Sequence, residues 1–175
     1  MAHKLIICGG NGAGKSTLGR MLARQAGWVF RDTEDYYFPD CRDGGPYADP
    51  RPREEVAARM QADLLAYPDL AIAAVKEDYG ESVECLFTGA VLLSVPKAER
   101  LVRVRRRSYG KFGARMLPGG DLHGQEEQFF RMVAARSEQQ VTDWLAGMRI
   151  PVLHLDGTRP PEENLVQLLR WLAEQ

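Results

Sequence analysis

The segment LIICGGNGAGKSTLGR near the start of the chain has the composition of a phosphate-binding loop. Gly9 is followed by four residues and then by Gly14-Lys15-Ser16, which satisfies the P-loop pattern G-x-x-x-x-G-K-[ST]. The glycines let backbone amides curl around phosphates, and a helix that begins here adds the partial positive charge of its N-terminus. The residues expected to bind a triphosphate are Gly9, Gly10, Asn11, Gly12, Ala13, Gly14, Lys15, Ser16 and Thr17.

Lys15 and Ser16 have separate roles in this interpretation. The ammonium group of Lys15 can reach the β- and γ-phosphates and stabilise a phosphoryl group in transfer. The hydroxyl of Ser16 can ligate Mg²⁺. The buried strand before the loop and the amphipathic helix after it supply the context that this motif requires. ATP and Mg²⁺ are therefore the expected cofactors.

The stretch RDTEDYYFPD follows the second predicted strand. Ligands gather beyond the carboxyl ends of the strands in a parallel sheet, so a carboxylate here can accept the proton of an attacking hydroxyl. We expect Asp35 to be this base, with Asp32 as the second candidate. Asp32 or Glu34 can instead help to place Mg²⁺ through water. Tyr36 and Tyr37 can flank an acceptor, although we expect one of them in the core; a solvated acidic turn is the alternative interpretation.

The stretch ERLVRVRRRSYGKFGARMLPGG is rich in arginine and glycine. Arg103 and Arg107 lie four residues apart, on one face of a predicted helix. Phosphoryl transfer depends mostly on positioning and electrostatic stabilisation, which mobile guanidinium groups can supply. We expect Arg107, Lys111 or Arg115 to approach the phosphates, and the glycines to give residues 109–124 the hinges of a lid. A solvated basic helix face is the alternative.

Weaker signals lie past the third and fifth predicted strands. Lys76 and Tyr79 follow the third strand at the ligand-binding edge, and Lys76 on the surface is the alternative. Arg159 lies in DGTRPPEENL after the fifth strand, where a turn and a helix start are the alternative. The residues expected to contact a polar acceptor, either anionic or hydroxylated, are Tyr36, Tyr37, Arg42, Lys76 and Tyr79.

Short apolar runs alternate with longer segments of helical period, which indicates βαβ units and a parallel sheet. Strands are predicted at residues 4–8, 28–31, 70–75, 90–95 and 151–156. Helices are predicted after the P-loop, from Asp49 through 51–66, over 97–108, over 125–145, and at the C-terminus. We expect one domain over 1–175, with an acceptor-side insertion near 32–68 and the lid.

Composition excludes several classes of protein. The net charge is -1, so no broad basic field favours nucleic-acid binding. Three scattered cysteines fit neither a disulfide framework nor a zinc site. No D-x-x-G directly follows a predicted strand and there is no N-K-x-D, which disfavours a GTPase switch. With no leader pattern and no apolar run long enough for a membrane, we expect a cytoplasmic location.

The combination of these motifs resembles the small P-loop kinases, a group that includes nucleoside, nucleotide, shikimate and gluconate kinases. Three features carry the resemblance: the P-loop, the segment Asp35-Tyr36-Tyr37-Phe38-Pro39, and the arginine-bearing lid after the fourth strand. AAVKEDYG is similar to the gluconate-kinase motif that ends the third strand with Ala-Leu-Lys and a nearby tyrosine. The segment from RVRRRSYG to GQEEQF is similar to the arginine helix, lid and Gln-Phe helix of that family.

The resemblance implies a three-layer α/β/α fold with a five-stranded parallel sheet ordered 2-3-1-4-5. It implies transfer of the γ-phosphate of Mg-ATP to a hydroxyl of a small nucleoside-, sugar- or sugar-acid-like metabolite. It also places Arg103 on adenine, lays the loop of Arg159 against the same ring, and favours Asp35 as the base. Two other hypotheses stay open: an ATP-binding sensor or slow ATPase without a metabolite acceptor, and, less favoured by the charge, a nucleic-acid-end kinase.

Overall fold

The five strands form one parallel sheet in the order β2-β3-β1-β4-β5, which confirms the expected order. The structure is a computed structural model that describes residues 2–38, 50–75 and 78–175. The strands are β1 (Lys4–Cys8), β2 (Val29–Asp32), β3 (Leu70–Ala74), β4 (Gly89–Ser94) and β5 (Val152–Asp156). Each lies within one residue of its predicted bounds, because buried parallel strands read as short apolar runs.

Helices cover both faces of this sheet. They are α1 (Lys15–Ala26), α2 (Thr33–Tyr37), α3 (Arg53–Ala66), α4 (Glu81–Glu84), α5 (Lys97–Phe112), α6 (His123–Ala135), α7 (Gln139–Met148) and α8 (Pro161–Ala173). A 3₁₀ helix (Gly113–Met116) separates α5 from α6. The short helices α2 and α4 were not predicted, since each is too brief to show a helical period. No helix in the described ranges is long and apolar enough to cross a membrane.

The alternation of side chains along β1 divides the core into two layers. Leu5 and Ile7 face the layer that contains Leu18 and Leu22 of α1 and Leu168 of α8. The alternate residues of β1, Ile6 and Cys8, face the opposite layer, which contains buried side chains of α3 and of α7. Because every residue of β1 after Lys4 is buried, the strand positions the loop that follows it rigidly. The carboxyl ends of β1, β3 and β4 thus meet beneath that loop.

The predicted long helix 125–145 is wrong, because the chain breaks between α6 and α7. Arg136 adopts an extended backbone conformation with φ -63° and ψ 132°, which ends α6 at Ala135. Side chains at the break contact the loop after β1: Arg136 Nη1 donates to Asn11 Oδ1 at 2.7 Å, and Glu138 pairs with Arg100. These long-range contacts accompany the break in the local helical pattern.

The predicted lid begins later than expected. Helix α5 continues past residue 108 to Phe112, so Gly110 lies inside a helix, whereas Gly113 and Gly119 have φ values of 58° and 90°. Met116 packs with Val104, Phe130 and Val133 in a small apolar cluster of its own. The expected start of α3 at Asp49 lies outside the described residues; the described helix begins at Arg53.

Candidate active site

The loop between β1 and α1 is shaped by close approaches to its backbone. Gly14 has φ 99° at the N-cap of α1, and Gly12 has φ 83°, a region that residues with a Cβ rarely adopt. A Cβ on Gly12 would lie 2.6 Å from the carbonyl oxygen of Arg100, and one on Gly10 would overlap the Arg100 guanidinium. The loop therefore needs these glycines both for its curvature and for its packing.

Lys15 is a buried cation at the start of α1. The residue is only 7% exposed, and its Nζ donates to the carbonyl oxygen of Gly10 at 3.0 Å. Burial lowers the pKa of Lys15 to about 8, the charge of Asp32 raises it, and the charge of Arg107 lowers it. A nearby anion would stabilise the charged form of an ammonium group in such surroundings, as a phosphate does at a phosphate-binding lysine.

Ser16 and Asp32 lie side by side although sixteen positions separate them in sequence. Ser16 Oγ donates to Asp32 Oδ2 at 2.5 Å. The other carboxylate oxygen, Oδ1, accepts the backbone N–H of Glu34 at 3.2 Å and so caps α2. Asp32 is the last residue of β2 and the N-cap of α2, so the strand and the helix together fix its orientation. A hydroxyl and a carboxylate in this arrangement are oxygen ligands of the kind that Mg²⁺ prefers.

The described residues contain no group of three or more His, Cys, Asp or Glu side chains that could hold a metal ion by themselves. Mg²⁺ usually keeps several waters and binds through one or two carboxylates together with substrate phosphates. The Ser16–Asp32 pair beside the phosphate loop fits that mode of binding, and it fits no all-protein cage. The residues present therefore suit Mg²⁺ that arrives with a triphosphate.

A cavity of about 380 Å³ opens above this loop, within the usual range for small-ligand sites. Residues 12–18 line it together with Arg103 and Arg107 of α5 and Arg159 of the β5–α8 connection. The structure thus brings the loop together with three of the four arginines that the sequence assigned to the nucleotide. Arg20, which the sequence analysis did not select, lines the same cavity and lies over the ring of Phe30 at 5.6 Å.

These arginines differ in what already binds them. Arg103 pairs with Glu99 at 2.5 Å and donates to the carbonyl oxygen of Gly157 at 2.9 Å. Arg159 lies 3.9 Å from Asp156 and is mostly exposed. Arg107 forms no hydrogen bond or ion pair within the described ranges, although its charge lowers the pKa of Lys15. Arg107 is thus the lid cation most available to a phosphate.

The expectation that Arg115 approaches the phosphates is not met in this structure. Arg115 lies in the 3₁₀ helix, 61% of its side chain is exposed, and it forms a two-pronged ion pair with Asp121. It is not among the described residues that line the cavity, and neither is Lys111, whose ammonium lies over the ring of Phe112. Arg115 therefore pairs with the carboxylate of Asp121, whereas the sequence predicted that it would contact a phosphate.

The expected acceptor contacts through Tyr36 and Tyr79 need correction. Tyr36 is 6% exposed, its hydroxyl donates to Asp63 Oδ2 at 2.7 Å, and burial raises its pKa far above the usual value. Tyr79 is 4% exposed and packs edge-on against Trp144. Both therefore belong to the core layer beneath α3 and α7. Tyr37 remains half-buried, and its pKa is raised by burial; of the other predicted contacts, Arg42 and Lys76 lie outside the described residues.

The carboxylates after β2 are not equivalent. The charges of Asp32 and Glu34 both act on Lys15 and raise its pKa, whereas the charge of Asp35 acts on the buried hydroxyl of Tyr36. Because its backbone N–H also binds the Asp32 carboxylate, Glu34 becomes a second candidate for the base beside Asp35, whereas the sequence indicated it only for Mg²⁺.

A buried arginine behind the phosphate loop was missed. Arg100 is 3% exposed, donates to the carbonyl oxygens of Val95 at 3.1 Å and of Asn11 at 3.4 Å, and pairs with Glu138. It contacts the loop and, together with Gly9, Gly10 and Asn11, lines a second cavity of about 70 Å³. Arg100 begins the buried i, i+4, i+8 stripe that continues with Val104 and Ser108, and that spacing was the available signal.

Comparison with known proteins gives one relative over the full length and shorter matches elsewhere. No family model matches the chain. It is 25% identical over 181 residues to an uncharacterized protein, YqaC, of Bacillus subtilis, a match that covers 99% of both chains. Over 38 residues it is 45% identical to a probable gluconokinase of Rattus norvegicus, which covers 22% of this chain and 20% of that one.

Three solved structures are similar over nearly the whole chain. A sugar kinase from Janibacter has a TM-score of 0.58 at 16% identity, covering 99% of this chain and 95% of that one. Shikimate kinase from Aquifex aeolicus has a TM-score of 0.57 at 17% identity, covering 98% and 96%. A gluconokinase from Sinorhizobium meliloti has a TM-score of 0.56 at 16% identity, covering 99% and 93%. The chain therefore has the fold of the small P-loop kinases, as the sequence predicted.

Proposed function

We propose that the protein is a small-molecule kinase that transfers the γ-phosphate of Mg-ATP to a hydroxyl of a small polar metabolite. The observation that carries this proposal is that Lys15, Ser16 and Arg107 line one cavity, with Asp32 hydrogen-bonded to Ser16 and with no hydrogen-bond or ion-pair partner for Arg107 among the described residues. A buried lysine and a free arginine stabilise negative charge, and a hydroxyl beside a carboxylate suits Mg²⁺. The kinase fold of the similar structures supports the same reaction class.

Each of these groups has a defined part in the proposed reaction. Bound Mg²⁺ would neutralise charge on the phosphates of the nucleotide. Ser16 and Asp32 would hold that ion, and the hydrogen bond from Glu34 N–H keeps the Asp32 carboxylate in place. Lys15 orients the terminal phosphates, and Arg107 stabilises the charge that develops on the phosphoryl group in transfer. Arg103 and Arg159 line the part of the cavity that we assign to the adenine ring of the nucleotide.

Helix α2 supplies the base in this proposal. Asp35 remains the residue expected from the sequence, and Glu34 is its competitor because its charge acts on Lys15. Either carboxylate would accept the proton of the acceptor hydroxyl as that oxygen attacks phosphorus. The acceptor would lie beyond the ends of β2 and β3, where Tyr37, Arg42 and Lys76 are the proposed contacts.

The test is transfer of labelled γ-phosphate from Mg-ATP to pooled nucleosides, nucleotides, sugars, sugar acids and aminoglycosides. Label in one pool, abolished by Lys15→Ala and retained by Lys97→Ala, would support the kinase. Lys97 is the matched control because it is an exposed lysine on the first turn of α5. Asp35→Asn and Glu34→Gln, assayed in parallel, identify the base by which of them loses turnover while still binding ATP.

Other outcomes point to the alternatives. Tight binding of Mg-ATP with slow hydrolysis and no label in any pool, including crude metabolite extract, would favour a nucleotide sensor. Label on the end of an added oligonucleotide, lost at raised salt, would favour a nucleic-acid-end kinase. The absence of any nucleotide binding would contradict the proposal outright.

A further inference from the structure

Two guanidinium groups hold Asn11, the residue between Gly10 and Gly12 of the phosphate loop. Asn11 is 7% exposed. Its side-chain Oδ1 accepts a hydrogen bond from Arg136 Nη1 at 2.7 Å, and its carbonyl oxygen accepts one from Arg100 Nη1 at 3.4 Å. Arg100 belongs to α5, whereas Arg136 directly follows the last residue of α6. Two separate parts of the chain therefore fix the position of Asn11.

Asn11 is the one residue from Gly9 through Gly12 that has a side chain by which the loop can be held. The three glycines around it have no such group, and a glycine backbone loses more conformational freedom on ordering than any other. The hydrogen bond from Arg136 to Asn11 therefore restricts a segment that would otherwise sample many conformations.

The contact with Arg100 sets the direction of the next amide. The peptide bond is planar and trans, so the N–H of Gly12 points opposite to the carbonyl of Asn11 and hence away from the Arg100 guanidinium. That N–H has no hydrogen-bond partner among the described residues. Gly12 lines the large cavity, whereas Asn11, Arg100 and Arg136 line the small one. An unpaired loop amide at the large cavity suits a phosphate oxygen.

We propose that Arg136 is a positioning residue of the phosphate loop: together with the backbone contact from Arg100, it acts through Asn11 and prepares the loop for phosphate before the nucleotide arrives. A loop that is already ordered loses less conformational freedom on binding, so preorganisation raises affinity. Neither arginine is among the described residues that line the large cavity, so neither needs to touch the nucleotide. This inference rests on the proposed function, because it assumes that the loop binds the phosphates of a nucleotide.

The test measures the affinity for Mg-ATP and for Mg-tripolyphosphate, which carries phosphates without a nucleoside, by titration calorimetry of Asn11→Ala, Arg136→Gln and the double variant. Each single change should weaken both ligands about fivefold or more, because it removes a charge-assisted hydrogen bond that holds the loop. The double variant should be no more than about twofold weaker than the weaker single variant, because both changes remove the same contact. Arg131→Gln is the matched control: this exposed arginine of α6 donates to the backbone of its own helix, and its loss should change affinity by less than about twofold.

Loop order in the nucleotide-free protein is measured alongside the titrations. The NMR order parameter of the Gly12 backbone N–H should fall from about 0.85 to below about 0.6 in either single variant. A role of Arg136 in overall stability alone would leave this order parameter unchanged and would overturn the inference. If Asn11→Ala does not fold, Asn11→Ser replaces it, since the side chain of serine ends one bond before the position of Oδ1.

Three other patterns would overturn the inference and leave the proposed function standing. Wild-type affinity in Asn11→Ala would show that the contact does not position the loop. Additive losses in the double variant would show that Arg136 acts on the ligand directly rather than through Asn11. A loss in Arg131→Gln equal to that in Arg136→Gln would show that affinity follows net charge. A wild type that binds neither Mg-tripolyphosphate nor Mg-ATP would contradict the proposed function itself, and this inference with it.

Discussion

Lys15 should limit the stability of the protein in the absence of nucleotide. Burial lowers its pKa from 10.5 to about 8, and each unit of pKa shift corresponds to about 1.4 kcal/mol. The charged form in the folded state is therefore disfavoured by about 3 kcal/mol at pH 7. Lys15→Met removes this penalty and also the hydrogen bond to Gly10, which contributes about 1 kcal/mol.

The expected net result is a variant more stable than the wild type by about 2 kcal/mol at pH 7, or about 4–8 °C in Tm for a chain of this size. The sign of the pH dependence follows from the lowered pKa. Between pH 8 and 10.5 the unfolded chain holds the Lys15 proton and the folded chain does not, so wild-type stability rises with pH relative to the variant. The gap should shrink to less than about 1 kcal/mol at pH 9.5.

Denaturant unfolding of both proteins at pH 7 and 9.5 measures this gap. Lys97→Met, the same change at an exposed lysine, should stay within about 0.5 kcal/mol of the wild type at either pH. Lys15→Met should also lose binding of Mg-ATP, in keeping with its place in the cavity. A Lys15→Met protein that is no more stable than the wild type, or whose advantage does not change with pH, would refute the reasoning.

Three further substitutions test the assignments around the site. Tyr36→Phe should lower the free energy of unfolding by about 1 kcal/mol, by removing the hydrogen bond to Asp63, and leave kcat and KM unchanged; a large rise in the acceptor KM would return Tyr36 to the acceptor site. Gly10→Ala should destabilise by about 1–3 kcal/mol and weaken ATP binding in calorimetry, because its Cβ would overlap Arg100; unchanged affinity would contradict this packing. Glu138→Gln should cost about 1–2 kcal/mol in denaturant unfolding, less than a fully buried pair because Glu138 is 60% exposed; a neutral effect would show that water already screens the pair.

The sequence predicted those parts of the fold that depend on local pattern. The strands follow from apolar runs bounded by turns, and the loop after β1 follows from a motif whose residues are contiguous. The order of the sheet followed from the family resemblance rather than from periodicity. The neighbouring positions of Ser16 and Asp32 were also foreseeable, because the carboxyl ends of parallel strands meet at one edge of the sheet.

What the sequence could not predict depends on partners far away along the chain. Tyr36 and Tyr37 are identical in type, and Tyr36 is the one in the core, where it packs with side chains of α3 and its hydroxyl donates to Asp63, twenty-seven residues after it. The break between α6 and α7 involves Arg136, whose partner Asn11 is 125 positions away. Arg115 is the exception: Asp121 lies only six residues after it, so an ion pair within the loop was a foreseeable competitor to a phosphate.

The cations around the phosphate loop fall into two groups with opposite electrostatic situations. Arg100 and Arg136 lie behind the loop and are satisfied: one by carbonyl oxygens and Glu138, the other by the side chain of Asn11. Lys15 and Arg107 line the cavity, and the charge of Arg107 lowers the pKa of Lys15. Satisfied cations can hold a loop in shape without a ligand, whereas mutually repelling ones gain most when an anion comes between them. The arginines of the single helix α5 therefore differ: Arg100 supports the loop, whereas Arg107, which has no partner among the described residues, is the one that we propose for a phosphate.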